Sequence, residues 1–500
     1  MPQYLLAIDQ GTTKSRAIIF DHQGRLQFQH ELTLTQYFPH DGWVEQNPTE
    51  MYENTVICCH EALRKGNLLG KDITAVGITN QRETTIIWDK NTGDPIYPAI
   101  VWQDRRTSDI CQHLSSLPIA AKIPEKTGLL LDPYFSATKI MWLLEHISNA
   151  RTRAERGELL FGTVDTYLLW KLTNGKSHLT DASNASRTLL FNIHTQTWDK
   201  EILSALNIPE QLLPKVMDNT ADFGEMDETI LQHRIPITAM AGDQQAATVG
   251  QICFKAGMVK ATYGTGCFML LNTGTQVIQS KKRLLSTVAY RIENKVTYGL
   301  EGSIFSAGTT VKWLRDQLKL ITHVKETETL AQSVTDAGGV YLVPAFTGLG
   351  APYWDPFARG MITGLTSNTD RAQIVRAALE SVAYQTRDLL EAMTSDGNAT
   401  LNVLRVDGGM AVNNWLLQFV ADILALEIQR PVCVETTALG VAFLAGLQAG
   451  VYHSLDDLIK LWQANVIFKP QMLSSQREAL YRHWRVAVAR TLYRKDEELY

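Results

Sequence analysis

Hydrophobic and polar positions follow one pattern twice along this chain. Leu5–Ile8 is continuously apolar and stops at Asp9, Gly11, Thr12 and Thr13 make a small-residue turn, and Ala17–Phe20 is apolar again. Short apolar runs bounded by turn residues predict buried strands. The turn Asp21-His22-Gln23-Gly24 leads into a third strand, Arg25 to Thr35. Asn47-Pro48-Thr49-Glu50 predicts a helix start, with Asn47 as cap, Pro48 in the first turn and Glu50 completing a capping box. That helix runs to about Lys65 and is followed by the strand Ile73–Thr79. Strands, then helix, then strand favour α/β layers over a helical bundle.

Near Gln251 the pattern starts again. Met258–Asn272 repeats strand, Gly/Thr turn and strand, and Tyr290–Ile292 with Val296–Leu300 predicts a further hairpin. A helix follows from about Ala307 to Leu320, then a long one over Arg371–Met393 with Val375, Leu379, Val382, Leu389 and Met393 on one stripe. The strand Leu401–Val406 ends at Asp407-Gly408-Gly409, before a helix near Asn413. Two halves with the same opening predict two similar domains with a cleft between them.

Composition narrows the classes. The 500 residues are 45% hydrophobic and 20% charged, as in a globular protein, and too many for one hydrophobic core. A net charge of −5 with no basic stripe argues against nucleic acid as a partner. No stretch reads as an integral membrane segment, and MPQYLL does not read as a signal peptide. The six cysteines are scattered without a CxxC, as expected of reduced thiols in a cytoplasmic protein. Two short matches fail on context. Lys14-Ser15 lacks the preceding glycine of a Walker loop, and Asp222-Phe223-Gly224 lacks a kinase catalytic loop.

The candidate chemistry sits at strand ends. Asp9 beside a hydroxyl-rich turn can hold Mg²⁺ next to phosphate. Arg82 and Glu83, adjacent where a strand ends, offer a donor and an acceptor to vicinal hydroxyls, which both donate and accept. Trp102 and Tyr134 could supply an apolar wall for the carbon face of a small polyol. Asp243, at the tip of the strand Ile235–Gly242, suits a general base, or equally a helix N-cap.

The opening motif, YFSATKIMWLLEH at 134–146, GMITGLTSNTDRAQIVRAALE at 360–380 and the DGG turn together resemble the FGGY carbohydrate kinases of the actin-like ATPase superfamily. NQRETT, WQDRR, GDQQAA and YGTGCF are similar to the branch that phosphorylates glycerol. The resemblance implies an α/β fold of two ribonuclease-H-like (actin-like ATPase) domains flanking a central catalytic cleft. Residues 1–250 would bind polyol and phosphate, and 251–500 nucleotide. It implies transfer from ATP to glycerol, giving sn-glycerol 3-phosphate, with Mg²⁺ as cofactor and a homo-oligomer, dimer or tetramer.

By the same resemblance, Arg82, Glu83, Tyr134, Asp243 and Gln244 hydrogen-bond glycerol, and Trp102 and Phe268 pack on its carbons. Asp243 is the base, and Asp9 and Asp243 lie nearest the metal. Thr12, Thr13, Lys14, Arg16 and Thr265 hold phosphates, and Gly308, Lys312, Gly409 and Asn413 line the nucleoside site. Three positions depart from the family pattern. Lys14 stands for a serine, Lys312 stands for a glutamine, and 222–234 lacks the glycine-rich loop by which some members bind fructose bisphosphate. The rivals are an FGGY kinase for another polyol or ketose, and a non-catalytic nucleotide switch. Arg82-Glu83 with Trp102 and Phe268 oppose the first, and Asp243 opposes the second.

Overall fold

The computed structural model describes residues 4–355, 357–397 and 401–492. The first half is built on a mixed sheet. Strands β1 (Tyr4–Gln10), β2 (Lys14–Asp21) and β3 (Leu26–Thr33) form an antiparallel meander. Strand β4 (Ile73–Asn80) joins parallel to β1, β5 (Glu225–Met226) is a short edge strand, and β6 (Ile235–Gly242) lies parallel to β4. The order is β5-β6-β4-β1-β2-β3. The second half contains β7 (Val259–Tyr263), β8 (Cys267–Gly274), β9 (Leu285–Ile292), β10 (Lys295–Ile304), β11 (Val403–Asp407), β12 (Glu427–Pro431) and β13 (Ala464–Phe468). Its order is β9-β10-β8-β7-β11-β12-β13.

With β5 set aside in the first sheet and β9 and β13 in the second, β3-β2-β1-β4-β6 and β10-β8-β7-β11-β12 are the same arrangement. Three antiparallel strands are followed by two parallel ones in both. The ribonuclease-H-like topology is therefore present twice. Strand register then places the chemistry: Gln10 pairs with Asn80, and Asn80 with Gly242. The residues that follow these three strands leave the sheet at one carboxyl edge, where open α/β sheets bind ligands.

The principal helices are α1 (Pro48–Gly66), α2 (Ser136–His146), α3 (Asp243–Gly250), α4 (Gly308–Asp316), α5 (Arg371–Gly397), α6 (Asn414–Leu424) and α7 (Thr436–Gln448). Helix α7 belongs by sequence to the second half but packs on β1, β4 and β6 of the first. One apolar cluster joins Leu5, Ala7, Ile18 and Phe20 of the first sheet to Leu439, Val441 and Phe443 of α7 and Leu270 of β8. Helices α3 and α7 touch backbone to backbone. A Cβ on Gly440 would lie 1.8 Å from the Ala246 carbonyl oxygen, and one on Gly250 would lie 2.0 Å from that of Thr436.

Local differences from expectation have physical causes. Asn47 caps α1 by accepting from the Thr49 amide (2.9 Å), but Glu50 does not close a capping box. It accepts instead from the Thr35 amide and hydroxyl at 3.0 and 2.9 Å, which ends the third strand early, at Thr33. Helix α4 stops at Asp316, and Lys319 beyond it takes a left-handed φ of 55°. Asp243 is the first residue of α3 rather than its cap, which is Gly242.

The glycine contact generates a prediction. Gly440→Ala should lower the denaturation midpoint by an amount equivalent to about 2–3 kcal/mol, the usual upper cost of overpacking. Urea unfolding followed by circular dichroism measures it, and an unshifted midpoint would mean that the two helices can move apart freely.

Candidate active site

The turn after β1 is closed by Gly11 N–H donating to the Lys14 carbonyl (2.9 Å), and the Thr13 carbonyl accepts from Leu34 N–H (2.9 Å). The Thr12 and Thr13 amides make no hydrogen bond among the described residues. Free amides at such a turn suit an anion. Asp9 is buried just below, and the Arg16 guanidinium bridges it to Glu435 of the other half. Burial pushes the Asp9 carboxyl above its ordinary range, Arg16 pulls it down, and the charges of Glu435 and Asp243 add to the rise. Lys14 turns away from this group and pairs with Glu31 of β3.

A chain of alternating charge runs beside the turn. Arg82 Nε lies 3.0 Å from Asp243 Oδ1, and its Nη1 donates to Glu301. Arg187 Nη2 donates to Glu301 Oε1 (2.9 Å) and its Nε to Glu83 Oε1 (2.7 Å). The sequence Glu83–Arg187–Glu301–Arg82–Asp243 thus begins and ends on a carboxylate. The first four members are at most 3% exposed, whereas 32% of the Asp243 side chain is open. Only Asp243 presents a substantially open carboxylate to an incoming hydroxyl. Burial pushes Glu83 upward against Arg82 and Arg187. For Glu301 burial also pushes up, but Arg187 and Arg82 together hold it below the usual carboxylate range.

The backbone at Glu83 is held out of its ordinary conformation. Its φ is 62°, left-handed for a non-glycine residue, and its carbonyl accepts from the Ser136 and Thr85 hydroxyls at 3.0 and 3.1 Å. Such strain costs of order 1 kcal/mol and persists where the surroundings over-determine it. Here Ser136, the first residue of α2, supplies that constraint. Aromatic rings complete the wall: Trp102 lies 5.6 Å from Tyr134 and 6.2 Å from Phe268, and Arg82 sits 5.9 Å from the Phe268 ring. Gln244 Oε1 accepts from Lys260 Nζ, a buried ammonium that also reaches Thr262 Oγ1 (3.0 Å).

On the opposite half, the turn between β7 and β8 meets the start of α4. The Thr265 carbonyl accepts from Ala307 N–H (3.1 Å) and Thr309 N–H (3.0 Å). A Cβ on Gly308 would lie 2.5 Å from the Gly264 carbonyl oxygen and 3.6 Å from Met410 Sδ, so Thr265, Gly308 and the 408–410 turn share one place. Gly409 faces open space. Asn413 is committed locally, because its Oδ1 caps α6 at Leu416 N–H (2.9 Å). Lys312 is exposed, one turn along α4 from Gly308. Arg234 pairs loosely with Glu228 at 3.4 Å, both exposed, in the acidic stretch 222–234.

Sequence reasoning missed Arg187, Glu301 and Lys260. The last two carry a visible signal, a single charge inside an otherwise apolar strand (YGLEGSIF and MVKATY). Arg187 lies in the polar run TDASNASR, which has no such contrast.

Two halves of one topology, with strand-end carboxylates and a free-amide turn between them, define a phosphotransferase of the actin-like class. The chain belongs to the FGGY family of carbohydrate kinases: residues 4–250 match the N-terminal domain of that family and 259–449 its C-terminal domain. Among its relatives are glycerol kinase of Coxiella burnetii, 60% identical over 493 residues and 98% of each chain, and glycerol kinase 1 of Pseudomonas aeruginosa, 58% identical over 98% of this chain and 99% of that one. The crystal structure of Plasmodium falciparum glycerol kinase with ADP superimposes with a TM-score of 0.91 at 37% identity over 98% of both chains. A xylulose kinase from Lactobacillus acidophilus shares the fold, with a TM-score of 0.86 at 21% identity.

Removing one partner of a buried ion pair strands the other and typically costs about 3–5 kcal/mol. Glu301→Gln should therefore raise the KM for the acceptor at least about tenfold, by releasing Arg82 and Arg187. Steady-state kinetics beside a denaturation curve measure this, and a lowered midpoint with an unchanged KM would reduce Glu301 to a structural part.

Proposed function

We propose that this protein transfers the γ-phosphoryl group of ATP to a terminal hydroxyl of glycerol, giving sn-glycerol 3-phosphate and ADP and so feeding glycerol breakdown. The observation that carries this reading is the pocket of Arg82, Glu83 and Asp243 beside the Trp102, Tyr134 and Phe268 rings. One side offers charged partners to hydroxyls, and the other offers rings to C–H groups. The relatives that are 58–60% identical over nearly the whole chain are glycerol kinases, which supports the same acceptor here.

In this mechanism Arg82 and Glu83 hold two vicinal hydroxyls, and the third is left to Asp243. Asp243 takes the proton from that hydroxyl as its oxygen forms a bond to the γ-phosphorus, the bond from phosphorus to the β-bridging oxygen breaks, and ADP leaves. Phosphoryl transfer relies mainly on positioning and charge neutralisation. The Thr12 and Thr13 amides and hydroxyls, Arg16 and the Thr265 turn supply these around the phosphates. Gly308, Gly409 and the neighbouring turn leave room for the nucleoside, with Lys312 and Asn413 at its rim.

Asp9 and Asp243 suit Mg²⁺, because the Asp243 charge adds to the cost of the buried Asp9 carboxylate and a cation would relieve it. No cluster of three or more metal-ligating side chains occurs among the described residues. Mg²⁺ fits such a site, since it usually takes one or two carboxylates and fills the rest of its shell with phosphate oxygens and water. When bound, the ion would neutralise phosphate charge.

The domain roles follow: 1–250 for polyol and phosphate, and 251–500 for nucleotide. No helix among the described residues is long and apolar enough to cross a membrane. We place the reaction in the cytoplasm, where ATP is available, and in a homo-oligomer.

Asp243→Asn should lower kcat by roughly 10²–10⁴, the usual worth of a general base, and change the glycerol KM less. ADP release with glycerol, a ketopentose and no acceptor tests the reading as a whole. Equal rates with glycerol and the ketopentose would move the protein to another acceptor, and equal rates with and without glycerol would make it a nucleotide switch.

A further inference from the structure

A ring of uncharged hydrogen bonds closes around the base of the site and takes in both the phosphate turn and the aromatic wall. Gln46 Nε2 donates to the Thr12 carbonyl (2.6 Å), Gln81 Nε2 to Gln46 Oε1 (2.7 Å), and Thr84 Oγ1 to Gln81 Oε1 (3.3 Å). The Trp102 N–H donates to Thr84 Oγ1 (3.2 Å), and the Trp102 indole Nε1–H returns to Thr12 Oγ1 (2.9 Å). Gln46, Gln81 and Thr84 are at most 2% exposed.

The direction of every bond is forced. A carbonyl only accepts, so Gln46 must turn its amide nitrogen to Thr12 and its oxygen to Gln81. Gln81 must then offer nitrogen to Gln46 and accept from Thr84, whose oxygen is left to receive the Trp102 N–H. An indole nitrogen only donates, so Thr12 Oγ1 accepts from Trp102 and keeps its own hydrogen for an outside acceptor. Because the peptide is planar and trans, pinning the Thr12 carbonyl also fixes the Thr13 N–H on the other side of that peptide. Two donors of the turn are thus preset by a ring whose far side is the wall of the acceptor pocket.

We infer that Gln46 and Gln81 are positioning residues that orient Thr12 and the Thr13 amide toward a phosphate oxygen and couple that turn to the acceptor wall through Trp102. This rests on the proposed kinase reading but adds to it, since neither glutamine contacts substrate there. Preorganised donors act mainly in the transition state, so their loss lowers turnover more than ground-state affinity. A ring also acts as a unit, so a second break in it adds little.

Gln46→Leu, Gln81→Leu and the double variant test this with glycerol and ATP, with calorimetric midpoints recorded for each. The isosteric Thr84→Val serves as a third break should either leucine variant fail to fold. Each is expected to lower kcat about tenfold or more while moving the glycerol KM less than threefold, and the double variant should match the weaker single one. A kcat within twofold of the unmodified protein, a loss confined to KM, or losses that multiply in the double variant would overturn the inference. Failure of the kinase reading itself would look different, as the unmodified protein would release no glycerol-dependent ADP.

Discussion

The buried guanidinium of Arg82 is the constraint on which the site depends. It comes from the first half, yet it donates to Glu301 of β10 in the second and touches Asp243 at the head of α3. An isolated buried charge is expensive, and a paired one survives only with satisfied geometry. Arg187 supplies the missing member by joining Glu301 to Glu83, so that two cations stand between three carboxylates. Pocket chemistry and one of the contacts between halves are therefore the same set of bonds.

The fold makes that set possible. Strand register brings Gln10, Asn80 and Gly242 level, so the residues after them emerge together at one edge. The contact of α3 with α7 through Gly250 and Gly440 keeps the start of α3, and with it Asp243, against the second half. A side chain at either glycine would force the two helices apart.

Much of this was legible in the sequence, and the parts that were not share a cause. The repeated strand–turn–strand openings, the strand-end acids and the Arg82-Glu83 pair are local patterns, and each lies where its pattern predicts. Asp243 at the end of β6 was legible for the same reason, although Gly242 took the cap. Glu301, Arg187 and the Glu435 clamp on Arg16 are contacts between residues 100 or more positions apart, which no periodicity encodes. Glu50 illustrates the converse. Its local context suggested a capping box, and the neighbouring loop at Thr35 took it instead.

The most direct test is a crystal structure with glycerol and a non-hydrolysable ATP analogue bound. The account predicts a terminal glycerol oxygen at hydrogen-bonding distance from the Asp243 carboxylate, about 2.6–3.2 Å, with the other two hydroxyls on Arg82 and Glu83 and the carbon chain against Trp102 and Phe268. Glycerol bound elsewhere, or with Asp243 beyond the reach of any hydroxyl, would contradict it.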